Sequence, residues 1–146
     1  MTNKATTGTE LYFSTTNEPG TLATWSNWLR ENGVNIEAIC AYTTDENTAW
    51  FRCVTSDNTK AKNFLTEKGY NVSENNVIYW TADNTPGNMY NATCAIAEKG
   101  INVSYTYAGC TTSNNTAYVV FSTNNPTGTE NAINACGTGG CGCCNG

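Results

Sequence analysis

The chain contains no histidine. That absence removes the side chain most often used for acid–base work near neutral pH. It also excludes Ser-His-Asp and Cys-His nucleophile sets. No Gly-rich phosphate-binding loop occurs, and the sequence reads as a protein that is not an enzyme. Cations are also scarce. Seven Lys and Arg residues are scattered through 146 positions, and the net charge is −5. Without a basic stripe, neither nucleic-acid binding nor a basic membrane-surface helix is expected. No apolar run approaches the roughly 18 residues that cross a bilayer, and residues 1–10 hold no stretch of signal-peptide type. The expectation is a cytoplasmic protein with no membrane contact.

What the chain has in abundance is Asn and Thr, which make up roughly a third of it. Four Asn-x-Ser/Thr triplets, at Asn71, Asn91, Asn102 and Asn114, are what chance gives at that composition. Eight cysteines are present. Cys40, Cys53, Cys94 and Cys110 fall in patterned segments and read as buried, inert thiols. Cys136, Cys141, Cys143 and Cys144 crowd into the last eleven residues. Thiolates at such short spacing suit a soft metal ion, although the spacing is not that of a zinc knuckle. The alternative is an oxidation-prone tail. No other cofactor is implied.

An internal repeat organises the rest. At an offset of 67 residues, Pro19-Gly20-Thr21-Leu22 aligns with Pro86-Gly87-Asn88-Met89. Gly33-Val34-Asn35-Ile36 aligns with Gly100-Ile101-Asn102-Val103. With one inserted residue, Ala49-Trp50-Phe51 aligns with Ala117-Tyr118-Val119. In each copy a short alternating strand meets a Pro-Gly turn. A helical stripe follows, carried by Leu22, Trp25 and Leu29 in the first copy and by Met89, Ala92 and Ile96 in the second. A glycine ends that helix. Two alternating strands then form a hairpin, with Asp45-Glu46-Asn47 as the first copy's turn. A second helix is expected over Thr59–Lys68, and a short one over Pro126–Ala135. Tyr70–Ser73 reads as a closing strand in the first copy. The second copy runs into Gly137-Thr138-Gly139-Gly140, which cannot serve as one.

The order strand, helix, strand, strand, helix, strand is a split βαβ arrangement with both helices on one face of an antiparallel sheet. The expected class is therefore α+β, with two ferredoxin-like βαββαβ units in tandem, the second lacking its last strand. The expected divisions are a disordered N-terminus (1–9), one unit over 10–75, an incomplete unit over 76–135, and a Gly/Cys tail (136–146). An unfilled strand position exposes a sheet edge, which invites pairing with another chain.

The paired Pro-Gly-x-Leu/Met turns, each followed by a helix and Gly-x-Asn-aliphatic, resemble the ACT domain. Tyr105-Thr106-Tyr107-Ala108 is similar to a stretch found in small proteins built from two such domains. The resemblance covers about Glu10 to Ile133. It implies a regulatory module that binds a small ligand, most often an amino acid, between paired domains. It also implies polar contacts from Asn17 and Asn35, and from Asn84 and Asn102. An amide supplies both donor and acceptor to a zwitterion. The helix starts after Pro19 and Pro86 favour a carboxylate. Gly20 and Gly87 allow close approach, and Glu18 offers charge to an ammonium group. Some amino-acid-binding members carry a His four residues before the Pro, where Thr15 and Ala82 stand here. The plainer reading is that Pro-Gly only starts a helix and that Asn35 and Asn102 only cap turns. Two function classes follow besides metal handling by the tail. One is ligand-binding regulation; the other is homo-oligomeric assembly through sheet edges or helices without a ligand.

Overall fold

The computed structural model describes residues 3–136. The elements in chain order are β1 (Lys4–Thr16), α1 (Thr21–Glu31), β2 (Ile36–Asp45), β3 (Thr48–Thr55), α2 (Asn58–Glu67), β4 (Ser73–Asp83), α3 (Asn88–Glu98), β5 (Val103–Thr111), β6 (Thr116–Thr123) and α4 (Pro126–Cys136). They sort into two compact units, one spanning Thr9–Asn75 and the other gathering residues 3–8 with 76–136.

In the Thr9–Asn75 unit, β3 lies between β2 and β1, and the start of β4 flanks β1 on its other side. The pairing is antiparallel, with Phe13 opposite Phe51 and Leu11 opposite Cys53. These inward residues meet Trp25 and Leu29, four apart on α1, and Ala61 and Leu65, four apart on α2. That spacing puts each pair on one helix face. Phe13 and Trp25 meet edge to face at 5.3 Å. Helices α1, α2 and α3 close in the same way. After α1, Gly33 N–H donates to Arg30 O and Val34 N–H to Leu29 O, with φ at Gly33 of 69°. These two hydrogen bonds satisfy carbonyls that the helix leaves open. On the opposite sheet face Glu10 is fully buried. It accepts from Arg52 Nη1 at 2.8 Å and from Asn75 Nδ2 at 3.2 Å.

In the other unit, β4 lies between β1 and β6, and β5 pairs on the far side of β6. Its core is formed by Ile78, Trp80, Ala92, Ile96, Val119, Phe121 and Ile133, with Ala5 among them. Among the described residues no strand follows α4, and the second copy's last strand position is not filled from that side of the chain by any described residue. The expected consequences differ, however. Residues 4–8, for which the sequence suggests disorder, are strand and fill the place of the missing one. The edge expected to be open is therefore occupied by the chain's own N-terminus.

Side chains of α4 hold that strand. Ala5 N–H donates to Asn134 Oδ1 at 2.8 Å, and Asn134 Nδ2 donates back to Ala5 O at 2.9 Å. Thr7 N–H donates to Glu130 Oε2 at 2.8 Å. Residues two apart on the strand thus meet residues four apart on the helix. At Gly8 a Cβ would meet the outer end of the Tyr79 ring, so a larger residue there would require that ring to shift. Tyr70–Ser73 is not a separate closing strand, since Ser73 begins the continuous strand β4. No helix among the described residues is long and apolar enough to cross a membrane.

Candidate functional site

Each repeat builds the same turn between its first strand and its first helix. In the first copy Glu18 N–H donates to Thr16 O, and Thr21 N–H to Glu18 O. In the second, Thr85 N–H donates to Asp83 O, and Asn88 N–H to Thr85 O. Gly20 and Gly87 stand immediately before their helices with φ of 89° and 91°, the left-handed region where glycine is favoured. The first side chain of each helix ties back to the turn. Thr21 Oγ1 donates to Glu18 O at 3.0 Å, and Asn88 Nδ2 to Asp83 O at 2.7 Å. The turn is also stitched to the hairpin. Asn17 N–H donates to Asn47 O at 2.8 Å, and Asn84 N–H to Asn115 O at 2.7 Å.

Behind each turn lies a cleft. The first, about 570 Å³, runs between Asn17, Glu18 and Leu22 on one side and Tyr42, Ala49 and Phe51 of the hairpin on the other. The second, about 260 Å³, lies between Asp83, Asn84 and Met89 and the hairpin residues Cys110 and Val119, with Trp80 also in its wall. Both are mainly apolar with a few polar groups among the lining residues, the usual character of a small-molecule site. Neither is lined by a Lys or Arg. Leu22 and Ala23, the second and third residues of α1, line the first cleft. Their N–H groups belong to the set that a helix cannot satisfy from its own carbonyls.

Asn17, Glu18 and Gly20 thus come together in the first cleft, and Asn84 lies in the second. Gly87 starts α3 but is not part of the second cleft's lining. Asn17 is partly committed already, since its Nδ2 donates to Glu46 O at 3.2 Å. Asn35 and Asn102 lie elsewhere within their own units. An eleven-residue helix, about 16 Å long, separates each from its Pro-Gly turn. Asn35 lines a separate hollow of about 340 Å³ with Arg30 and Gly33. Its backbone exchanges hydrogen bonds with Ser56: Asn35 N–H to Ser56 Oγ at 3.0 Å and Ser56 N–H to Asn35 O at 2.9 Å. Asn102 pairs with Asn124 in the same manner. Sequence reasoning missed the hairpin walls, namely Tyr42 and Phe51 in the first copy and Cys110 in the second. It also missed Asp83, whose signal was its place directly before Asn84.

The cysteines differ in state. Cys53 is buried in the core, and burial, with a smaller effect from Glu10, pushes its thiol up to about 12. Cys110 is an exposed thiol at the second cleft. Cys94, expected as an inert thiol, is disulfide-bonded. Cys136 Sγ contacts Asn91 O at 3.6 Å. Among the described residues no group of three or more His, Cys, Asp or Glu is placed to hold a metal ion. Cys141, Cys143 and Cys144, the rest of the proposed soft-metal set, lie outside the described residues.

Among curated protein sequences none matches this chain. Similar solved structures exist. Protein BT0572 from Bacteroides thetaiotaomicron superposes with a TM-score of 0.81 at 22% identity, covering 90% of this chain and 89% of that one. The regulatory subunit of aspartate kinase from Thermus thermophilus superposes with a TM-score of 0.65 at 13% identity, covering 91% and 96%. The corresponding subunit from Thermus flavus gives 0.57 at 16% identity, covering 91% and 94%. At these identities the likeness is one of fold. The family model that describes an ACT domain pair matches residues 7–135, which is most of the chain. This protein belongs to the ACT domain pair family.

Proposed function

We propose that the protein is a non-catalytic regulatory module that binds an amino acid in the clefts behind its two Pro-Gly turns. One observation carries the reading: both repeats build the same turn and open a cleft behind it. In each, a left-handed glycine starts a helix, an Asn lies at the strand end, and the hairpin supplies an apolar wall. The leading helix N–H groups suit the ligand's α-carboxylate. The apolar wall suits its side chain. Family membership points the same way, as does the likeness to a subunit whose role in aspartate kinase is regulatory.

The test is isothermal titration of the full chain with each of the twenty amino acids. The expected result is sub-millimolar binding of at least one, weakened in Asn17→Ala and Asn84→Ala, with circular dichroism confirming that both variants fold. No binding of any amino acid would overturn the proposal. Combined with a stable oligomer, that result would favour the assembly reading. The exposed Leu22, Met89 and Tyr90 at the helix starts support that second reading as surfaces for a second copy.

A further inference from the structure

We propose that Asp83 binds the ligand's ammonium group in the second cleft, as Glu18 does in the first, and that both clefts select amino acids with uncharged, apolar side chains. This inference rests on the amino-acid reading above.

The repeat alignment alone makes the second copy look deficient, because Glu18 corresponds to Thr85. The structure shows a compensating change. Asp83, the last residue of β4, lines the second cleft, whereas its counterpart Thr16, the last residue of β1, is absent from the first cleft's lining. Each cleft therefore has one carboxylate, contributed from positions two residues apart in the repeat. Asp83 is anchored where it is needed. Its carbonyl accepts from Thr85 N–H at 3.0 Å and from Asn88 Nδ2 at 2.7 Å, so its backbone is fixed at the turn.

The charge inventory then decides the ligand class. One carboxylate matches one ammonium group. A second acidic group, on an aspartate or glutamate ligand, would meet no Lys or Arg in either lining and would stand near a like charge, which is unfavourable. A ligand with a second cationic group would find no second carboxylate. What remains is a zwitterion whose side chain contacts Leu22, Ala49 and Phe51 in the first cleft, or Trp80, Met89 and Val119 in the second. The second cleft has less than half the volume of the first, about 260 against 570 Å³, so it favours the smaller side chains.

The experiment is titration of the full chain with valine, leucine, aspartate, glutamate, lysine and 4-methylpentanoate, which is leucine without its ammonium group. The wild type is expected to bind valine or leucine at two sites per chain, and the three charged amino acids and 4-methylpentanoate at least about tenfold more weakly. Glu18→Gln should remove one site and Asp83→Asn the other. A second readout identifies the cleft. Because Cys110 lines the second cleft, the bound amino acid should slow its alkylation in the wild type and in Glu18→Gln, but not in Asp83→Asn. The proposal is overturned if Asp83→Asn titrates and protects Cys110 like the wild type, or if aspartate binds as tightly as leucine. If apolar amino acids bind and Asp83→Asn changes nothing, only this inference falls. If the wild type binds no amino acid, the functional proposal falls with it.

Discussion

Replacing Asn134 by alanine cuts the attachment of the N-terminal strand to the second repeat. The Asn134 side chain accepts from Ala5 N–H at 2.8 Å and donates to Ala5 O at 2.9 Å. Within its unit this half of β1 is an edge, so these two backbone groups face α4 rather than a ladder partner. Each neutral hydrogen bond of this kind contributes about 0.5–1.5 kcal/mol net, and more where its partner is left half-buried without a replacement. The two together are expected to cost about 2 kcal/mol. Hydrogen exchange read by mass spectrometry tests this directly. Local opening of residues 3–8 should become about 30-fold more frequent, the ratio equivalent to that energy. Peptides within Ile36–Thr55, which belong to the other unit, should exchange as in the wild type. If exchange over residues 3–8 is unchanged in the variant, α4 does not hold the strand and the account of how the second repeat is completed is wrong.

Other expectations follow from single features. Arg52→Met leaves the buried Glu10 carboxylate without its ion-pair partner and should cost about 3 kcal/mol in urea unfolding, since breaking a buried pair from one side is costly. The double variant Glu10→Met/Arg52→Met should recover most of that loss; a double variant as unstable as the single one would refute the ion-pair account. Iodoacetamide at pH 8 should modify the exposed Cys110 and spare Cys53, whose thiol burial has pushed up to about 12, unless the protein is first unfolded. Asp45 caps its hairpin turn by accepting from Asn47 N–H at 2.8 Å, and this bond, with Thr48, holds its carboxyl below the usual carboxylate value. A lowered folded value means that this stabilisation is fully present above the unfolded carboxylate's range and is lost as pH falls through the folded value. In an NMR titration the Asp45 carboxyl should therefore show a midpoint below that of an unstructured Asp. Asp45→Asn should remove this acid-side transition from the hairpin amides.

The elements that sequence reasoning placed correctly were those with a strong period and a marked end. Trp25 and Leu29 face one way because they are four residues apart. Gly33, Gly69 and Gly100 stop their helices because each takes a positive φ that other residues avoid. The hairpins followed from alternation. What alternation could not show was Lys4-Ala5-Thr6-Thr7-Gly8, in which Ala5 is the one apolar residue. A strand with one small buried side chain has almost no hydrophobic signal. It is specified by its backbone bonds to α4, and a one-dimensional pattern carries no record of those. A repeat read in chain order has its last strand position after α4, where the Gly-rich sequence offers none, whereas the strand beside β4 in the fold comes from more than a hundred residues upstream.

The candidate site was half legible for a related reason. Residues of the Pro-Gly turn lie next to one another in sequence, so Asn17, Glu18 and Gly20 announce themselves as a group. The opposite wall comes from the hairpin, and nothing in sequence spacing links Tyr42 or Phe51 to Glu18. Alignment of the two copies misled in a more instructive way. It compares positions, and by position the second copy loses its acid at Thr85. A cleft compares what side chains can reach. A shift of two residues moves a carboxylate from the middle of the turn to the end of the strand without taking it out of the lining. Each cleft lining thus holds one acidic residue, Glu18 in the first and Asp83 in the second. A requirement on total charge would permit that exchange, and a requirement on residue identity would not.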